Sequence, residues 1–491
     1  MGHWLWPPLV LIGQGWQWIG EFWLPVYILT VILGTALAIE AIFKARTTQG
    51  AIAWSLGLIF LPPLVVPVYL LFGQRRFYGY VEARRKGDLE IQRIAQKLLS
   101  EMAQDFSLPG DAPAAVQLLE QLALMPFTRG NQVSLLINGE QIFERIFAAI
   151  DRAENYILVQ FYIVRDDRLG NELLQRLAAK ARQGVRVYFL FDAIGSFKLT
   201  RRYLRACREA GIAIEPFRTW RWRKRRRFQI NFRNHRKVVV VDGRCAFVGG
   251  ANLGDEYRHR HPRLKPWRDT HVQLEGPAVK GTQVSFLEDW YWATGEVPAM
   301  NWHPETMPND QQVLVLPSGP ADLLDSCQLM FLHAINSARE RIWIVSPYFV
   351  PDESISNALK LAALRGVEVR LMLPGITDNR LVQLSSFAAL MDMQYAGIQA
   401  FQYQRGFLHQ KVVLVDNDRA YVGTANFDNR SFHLNFEITV MVRDWAFAQE
   451  VEAMLLDDFN GCRPLTVESL EKRSLIFLSL TKLARLFSPI Q

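Results

Sequence analysis

The sequence predicts an α/β protein whose body is built from two similar halves and follows an apolar head. Three observations carry this reading. Charged residues are almost missing from residues 1–73, the rest of the chain can be laid over itself, and each half repeats one set of polar residues with identical gaps.

With 50% apolar and 21% charged residues, the 491-residue chain is neither disordered nor a small disulfide-stapled module. Lys and Arg number 56 against 48 Asp and Glu, a formal charge of +8. Residues 1–73 contain only Glu21, Glu40, Lys44 and Arg46 as charges. Phe22 to Ile39 is uncharged, with apolar character extending to Phe43, and Ala51 to Gly73 forms a second uncharged run. Each is long enough to cross about 30 Å of hydrocarbon as a helix. A secretory signal is disfavoured because the first basic residue is Lys44, which leaves no charged leader. Pro62, Pro63 and Pro67 should kink the second span.

The loop between the spans holds Lys44 and Arg46, whereas Arg75, Arg76, Arg84, Arg85 and Lys86 follow the second span. The positive-inside rule therefore predicts a multi-pass membrane protein with a cytoplasmic body. Cys207, Cys245, Cys327 and Cys462 show no paired spacing, which fits a reducing compartment. The expected organisation is a membrane anchor over 1–74, a helical linker over 75–130, a first half over 131–310, a second over 311–462 and a tail over 463–491.

Within the body, Ala149-Ile150 followed by Tyr156 to Tyr162 parallels Ala334-Ile335 followed by Arg341 to Tyr348. Each reads as a helix running into a buried strand. Gly184-Val185-Arg186-Val187 matches Gly366-Val367-Glu368-Val369 as a helix end and a second strand, and Gly211-Ile212 matches Gly397-Ile398 at a third. Strands alternating with helices predict a central helix-covered sheet in each half. The first half carries an insertion after Phe217 that contains the basic run Arg218 to Arg227 with Trp220 and Trp222.

The first half reads His235, Lys237, Asp242, Gly249, Asn252, and the second His409, Lys411, Asp416, Gly423, Asn426. Each His-x-Lys precedes a run of apolar residues, Val238 to Val241 or Val412 to Val415, so His and Lys two apart project to one face. Two such pairs facing one another would place two imidazoles and two ammonium groups around one phosphate, with Asn252 and Asn426 as amide donors. This suits phosphoryl-group transfer through a covalent intermediate. One histidine attacks, the other serves as acid and then base, and the lysines stabilise charge without a metal or other cofactor. Asp269 and Glu437 follow the two motifs as carboxylates able to orient an imidazole. Asp242 and Asp416 complete the catalytic set by spacing, although their place at the far end of the motif strands also suits a structural ion pair.

The duplicated HxKxxxxDxxxxxxGxxN resembles the signature of the phospholipase D superfamily. Ala53 to Pro62, Phe161-Tyr162-Ile163, Pro347 to Pro351, Gly423 to Asn426, Arg430-Ser431 and Asn435-Phe436-Glu437 resemble its bacterial cardiolipin synthase branch. The resemblance covers nearly the whole chain; residues 1–20 and those after Pro464 match poorly. It implies two phospholipase D-like halves related by a pseudo-twofold axis. The implied reaction moves a phosphatidyl group from one phosphatidylglycerol to another, releasing glycerol, with His235 as nucleophile and His409 as acid and base. The symmetry of the motif leaves the reverse assignment open, and water or phosphatidylethanolamine could replace the acceptor. Phosphatidylglycerol and anionic membrane lipid are the expected partners, not nucleic acid.

Three further stretches carry expectations. The basic run is expected to meet anionic lipid. The longer loop Asp255 to Arg268, with His259 and His261, is expected to shape the acceptor site. The tail from Leu470 to Leu486 reads equally as a surface helix on the membrane or a helix packed on the body.

Overall fold

The computed structural model describes residues 8–45, 48–73, 100, 106–108, 113–218, 231–466, 468–469, 472–488 and 491. Most of the expected linker, and the basic run beyond Arg218, lie outside these residues. The chain divides into two compact units, a head and a body.

The head begins with one long helix, Pro8–Lys44. The second apolar run is not a single kinked helix but two short ones, Thr48–Phe60 and Pro62–Phe72. The break falls at Leu61, where Pro62 and Pro63 withhold two backbone donors and φ/ψ leave the helical region. Among the described residues, only the first helix is by itself long and apolar enough to cross a membrane. Leu37, Ala38 and Ala41 pack against Leu58, Val66 and Tyr69 in a small core, while Leu24, Leu29, Ile32 and Phe60 are exposed. A Cβ at Gly34 would lie 2.5 Å from the Leu58 carbonyl, so a small residue is what admits this close helix approach.

The body is a mixed α/β structure. The first half contributes β1 (Thr128–Ile137), β2 (Tyr156–Phe161), β3 (Arg186–Asp192), β4 (Ala213–Phe217), β5 (Arg233–Asn234), β6 (Val238–Val241), β7 (Cys245–Gly249), β8 (Trp267–Arg268) and β9 (Thr270–Glu275). The second contributes β10 (Gln311–Ser318), β11 (Arg341–Val345), β12 (Phe349–Val350), β13 (Glu368–Pro374), β14 (Gln399–Tyr403), β15 (Phe407–Leu408), β16 (Val412–Val415), β17 (Arg419–Gly423), β18 (Phe427–Asp428), β19 (Asn435–Arg443) and β20 (Cys462–Leu465).

One continuous sheet runs β20-β14-β13-β11-β16-β17-β19-β10-β1-β9-β7-β6-β2-β3-β4. Read outward from the central antiparallel pair β1 and β10, the two halves have the same strand order, with β20 added at one edge. The inner strands are antiparallel, and β2-β3-β4 and β11-β13-β14 are parallel. Parallel pairs need crossover helices, and Arg168–Arg182 and Glu353–Leu364 supply them. Every residue of β2 is buried, as expected for a strand covered on both faces. Ile142, Phe143, Ile146 and Phe147 of helix Asn138–Asp151 cluster with Val159, Phe161, Val187, Phe189 and Val239 in the first-half core.

The paired glycines have local reasons. Gly184 and Gly366 both adopt φ +90° just past a helix, where a side chain would be strained. The motif glycines answer to space. A Cβ at Gly249 would stand 2.4 Å from the Thr270 carbonyl, and one at Gly423 2.5 Å from that of Ile438.

Candidate active site

Each histidine directly follows a short strand that pairs across the seam between halves. β5 of the first half pairs in parallel with the start of β19 of the second, and β15 of the second pairs with β8 of the first. The His235 amide donates to the Phe436 carbonyl at 2.9 Å, and the His409 amide to that of Arg268 at 2.8 Å. The residue after each of these carbonyls is the carboxylate, Glu437 or Asp269, so the pairing crosses over. His235 Nδ1 meets Glu437 Oε2 at 2.9 Å, and His409 Nδ1 meets Asp269 Oδ2 at 2.8 Å. Neither half can orient its own imidazole.

An ionised carboxylate only accepts, so each Nδ1 carries the proton and each Nε2 is left with a lone pair. Burial pushes both imidazoles down to about 4, against the pull of Glu437 or Asp269, so both are neutral at pH 7. Burial would raise the two carboxyls, but His409 beside Asp269 and His235 beside Glu437 hold them below the usual range. Glu437 also accepts from Thr424 Oγ1 at 2.6 Å and Asn435 Nδ2 at 3.2 Å, and Asp269 from the Thr270 amide at 2.8 Å.

The lysines lie with their histidines. Lys237 Nζ donates to the His235 carbonyl at 2.5 Å and stands 5.4 Å over the Tyr162 ring. Lys411 Nζ donates to the His409 carbonyl and lies 3.3 Å from His409 Nε2. Burial lowers Lys411 to about 8 and pushes Lys237 well below the ordinary lysine range. Arg430 adds to the positive field: burial and the neighbouring charge of Arg233 both lower it. Such a site favours a buried anion, since an anion would relieve the mutual repulsion of these cations.

The asparagines are not equivalent. Asn252 Oδ1 accepts from the Ile163 amide at 3.1 Å and its Nδ2 donates to the Tyr257 hydroxyl at 2.8 Å. Asn426 Oδ1 is buried with no hydrogen-bond partner among the described residues. The surroundings of the histidines differ too. Tyr162 packs edge-on against His235 at 4.9 Å, whereas Trp267, Tyr257 and Phe407 surround His409 at 5.5 to 5.8 Å.

Asp242 and Asp416 are placed elsewhere than with His235 and His409. Both occupy the turn after a motif strand, with φ +54° and +52°. Asp242 accepts from the amides of Glu154, Asn155 and Tyr156 at 2.7 to 2.8 Å, and Asp416 from those of Arg339, Glu340 and Arg341 at 2.8 to 3.3 Å. They tie the motif hairpin to the start of β2 or β11; Asp416 also pairs with Arg419 at 2.6 Å. Aspartate suits this position because a short polar side chain tolerates left-handed backbone.

The loop Asp255 to Arg268 is held by its own histidines. His259 Nδ1 accepts from the Trp267 amide at 2.9 Å and its Nε2 lies 3.1 Å from Glu140, while His261 Nδ1 accepts from Leu264 at 2.8 Å. Among the described residues, no three His, Cys, Asp or Glu side chains converge as metal ligands would.

Sequence reasoning missed the residues between each His and Lys. Arg236 pairs with buried Asp289 at 2.8 Å and donates across the seam to the Glu437 carbonyl at 2.9 Å. Gln410 donates to Asp458 at 2.8 Å, and Asp458 also pairs with Arg268 at 2.7 Å. Only the central position of HxK, otherwise unassigned, hinted at them.

A duplicated α/β unit with two His-Lys pairs across one seam defines a phospholipase D-like phosphatidyltransferase. Comparison with known proteins narrows the class. The family model described as the cardiolipin synthase PLD-like domain matches residues 146–260 and again 331–458. The chain is 48% identical over 465 residues to cardiolipin synthase A of Pseudomonas putida, covering 94% of this chain and 96% of the relative. It is 49% identical over 464 residues to cardiolipin synthase A of Pseudomonas aeruginosa, covering 94% of each. The crystal structure of a phosphatidylserine synthase from Haemophilus influenzae aligns with 77% of this chain and 97% of its own, with a TM-score of 0.57 and 15% identity, a likeness of fold. The chain belongs to the cardiolipin synthase family of the phospholipase D superfamily. Its activity is phosphatidyl transfer that makes cardiolipin, and the enzyme is membrane-associated.

Proposed function

We propose that the reaction joins two phosphatidylglycerol molecules through a phosphatidyl-histidine intermediate, with His235 as nucleophile. Nε2 of neutral His235 attacks phosphorus and the bond to the departing glycerol oxygen breaks. His409 supplies the proton that this oxygen takes up, because an anionic phosphodiester beside it raises its proton affinity. The hydroxyl of the second phosphatidylglycerol then gives its proton to His409 and attacks the phosphorus, releasing His235 and forming cardiolipin. Lys237, Lys411, Asn252 and Asn426 stabilise the non-bridging oxygens, and Glu437 and Asp269 hold the imidazole tautomers.

One observation carries the reading: the crossed pairs His235–Glu437 and His409–Asp269 leave both Nε2 atoms unprotonated within one buried cationic site. The mirrored strand order supports a pseudo-twofold relation between the halves. The apolar stretches Phe22 to Phe43 and Ala51 to Gly73 support two passes through the inner membrane, with the body cytoplasmic on the charge count.

The test is purified enzyme with phosphatidylglycerol as the sole lipid, quenched rapidly and mapped by mass spectrometry. Cardiolipin and glycerol in equal amounts, with the phosphatidyl adduct on His235 accumulating in His409→Ala, are expected. An adduct on His409 would reverse the roles, and phosphatidic acid as sole product would make water the acceptor.

A further inference from the structure

The C-terminal helix Leu475–Arg485 packs one face on the body and leaves a second apolar face outward. Its inward positions are Phe477, Leu478, Thr481 and Ala484, of which Thr481 and Ala484 are 1% and 3% exposed. Phe477 packs edge-on against Phe387 of the neighbouring helix Arg380–Gln394 at 5.6 Å. The outward face carries Leu475, Ile476, Leu480, Leu483, Leu486 and Phe487, with Leu475 82% and Leu486 74% exposed. The two fully buried positions are a threonine and an alanine, while six large apolar side chains face outward, more apolar surface than a face meeting only water carries.

Charge gives the occupant. Residues 472–491 contain no acidic residue; of their four bases Arg485 pairs with Asp392 at 2.8 Å and Lys472 lies 3.8 Å from Glu468, while Arg473 and Lys482 are exposed. A leucine face flanked by basic side chains is the pattern of a helix lying in an anionic lipid interface. The segment also reaches the site. Asn429 Nδ2 donates to the Ser488 carbonyl and the Arg430 amide to that of Gln491, both at 2.9 Å. Asn429 and Arg430 open the short helix between Asn426 and Glu437.

We infer that Leu475 to Phe487 is a second membrane contact, separate from the head, which lies in an anionic bilayer interface and braces the Asn429–Arg430 segment of the active site. The inference builds on the proposed membrane attachment, and the test separates the two. Spin labels at Leu483→Cys, at Leu29→Cys in the head and at Gln183→Cys on the exposed body surface are read in the full chain. The protein is held in nanodiscs of phosphatidylserine and phosphatidylcholine, with the parent protein giving the background from native thiols. Position 483 is expected to show a several-fold higher ratio of oxygen to nickel-chelate accessibility than 183. A lipid-exposed label at 29 with an aqueous label at 483 overturns this inference alone, aqueous labels at both overturn the membrane reading as well, and dipolar coupling between 483 labels would assign the face to a second copy.

A second measurement uses Leu480→Glu with Leu483→Glu. Turnover of bilayer phosphatidylglycerol should fall several-fold while turnover of a short-chain, monomeric phosphatidylglycerol is unchanged. An equal loss on both substrates, or none on the bilayer, would refute the contact.

Discussion

Glu437 and Asp269 do at the residue scale what no single half can do. Each is buried and accepts a hydrogen bond from the Nδ1–H of a histidine of the other half, so replacing the carboxylate with its amide permits the wrong tautomer. Glu437→Gln and Asp269→Asn should each lower kcat on the order of a thousandfold with little change in KM, as expected for groups that act through imidazole orientation. Steady-state kinetics check this; a KM effect alone would mean that the carboxylates only shape substrate binding. The pH profile follows from the same burial. His235 must be neutral to attack and titrates at about 4, so kcat, read in the complex where the bound phosphodiester holds His409 protonated, falls as pH drops toward that value. Lys411 must be charged and titrates at about 8, so activity also falls as pH rises through 8, giving a bell. A basic limb unmoved in Lys411→Arg, which cannot titrate in that range, would assign that limb to another group.

Between residues and the whole molecule stand the elements that meet at the seam. β5 on β19 and β15 on β8 carry the histidines across it, and the buried pairs Arg236–Asp289 and Arg268–Asp458 hold those strands in register. Removing one partner leaves the other charge buried, which costs about 3–5 kcal/mol. Asp289→Asn and Asp458→Asn should therefore lower the unfolding midpoint of the body by several degrees, measurable by thermal melting in detergent, whereas Arg244→Gln, at an exposed pair with Glu154, should leave it unchanged. Unequal effects at Asp289 and Asp458 would show that the two seams are not equivalent supports.

For the molecule as a whole, three buried imidazoles link stability to pH. Burial lowers His235, His409 and His271 to about 4. In the unfolded chain they bind protons near 6.5, so between pH 6.5 and 4 the unfolded state holds more protons and stability falls with falling pH. Thermal melts over that window should show a declining midpoint, shallower in His271→Leu; a flat response would mean that the histidines are charged in the native state.

The sequence by itself determined the α/β class, the duplication and the family. Strand and helix periodicity, the paired glycines and a polar pattern repeated with identical gaps are local properties, set by backbone geometry and by the chemistry that phosphate demands. The proline pair at 62 and 63 marked a disturbance in the head, although the chain breaks there into two helices where a kink was expected. Only the tertiary structure decided which carboxylate serves which histidine, that Asp242 and Asp416 brace turns, that the position inside HxK forms a buried charge network, and that the C-terminal helix faces its leucines outward. These depend on contacts between residues as much as 202 positions apart. Linear spacing records which groups are present, whereas the pairing of strands across the seam chooses their partners.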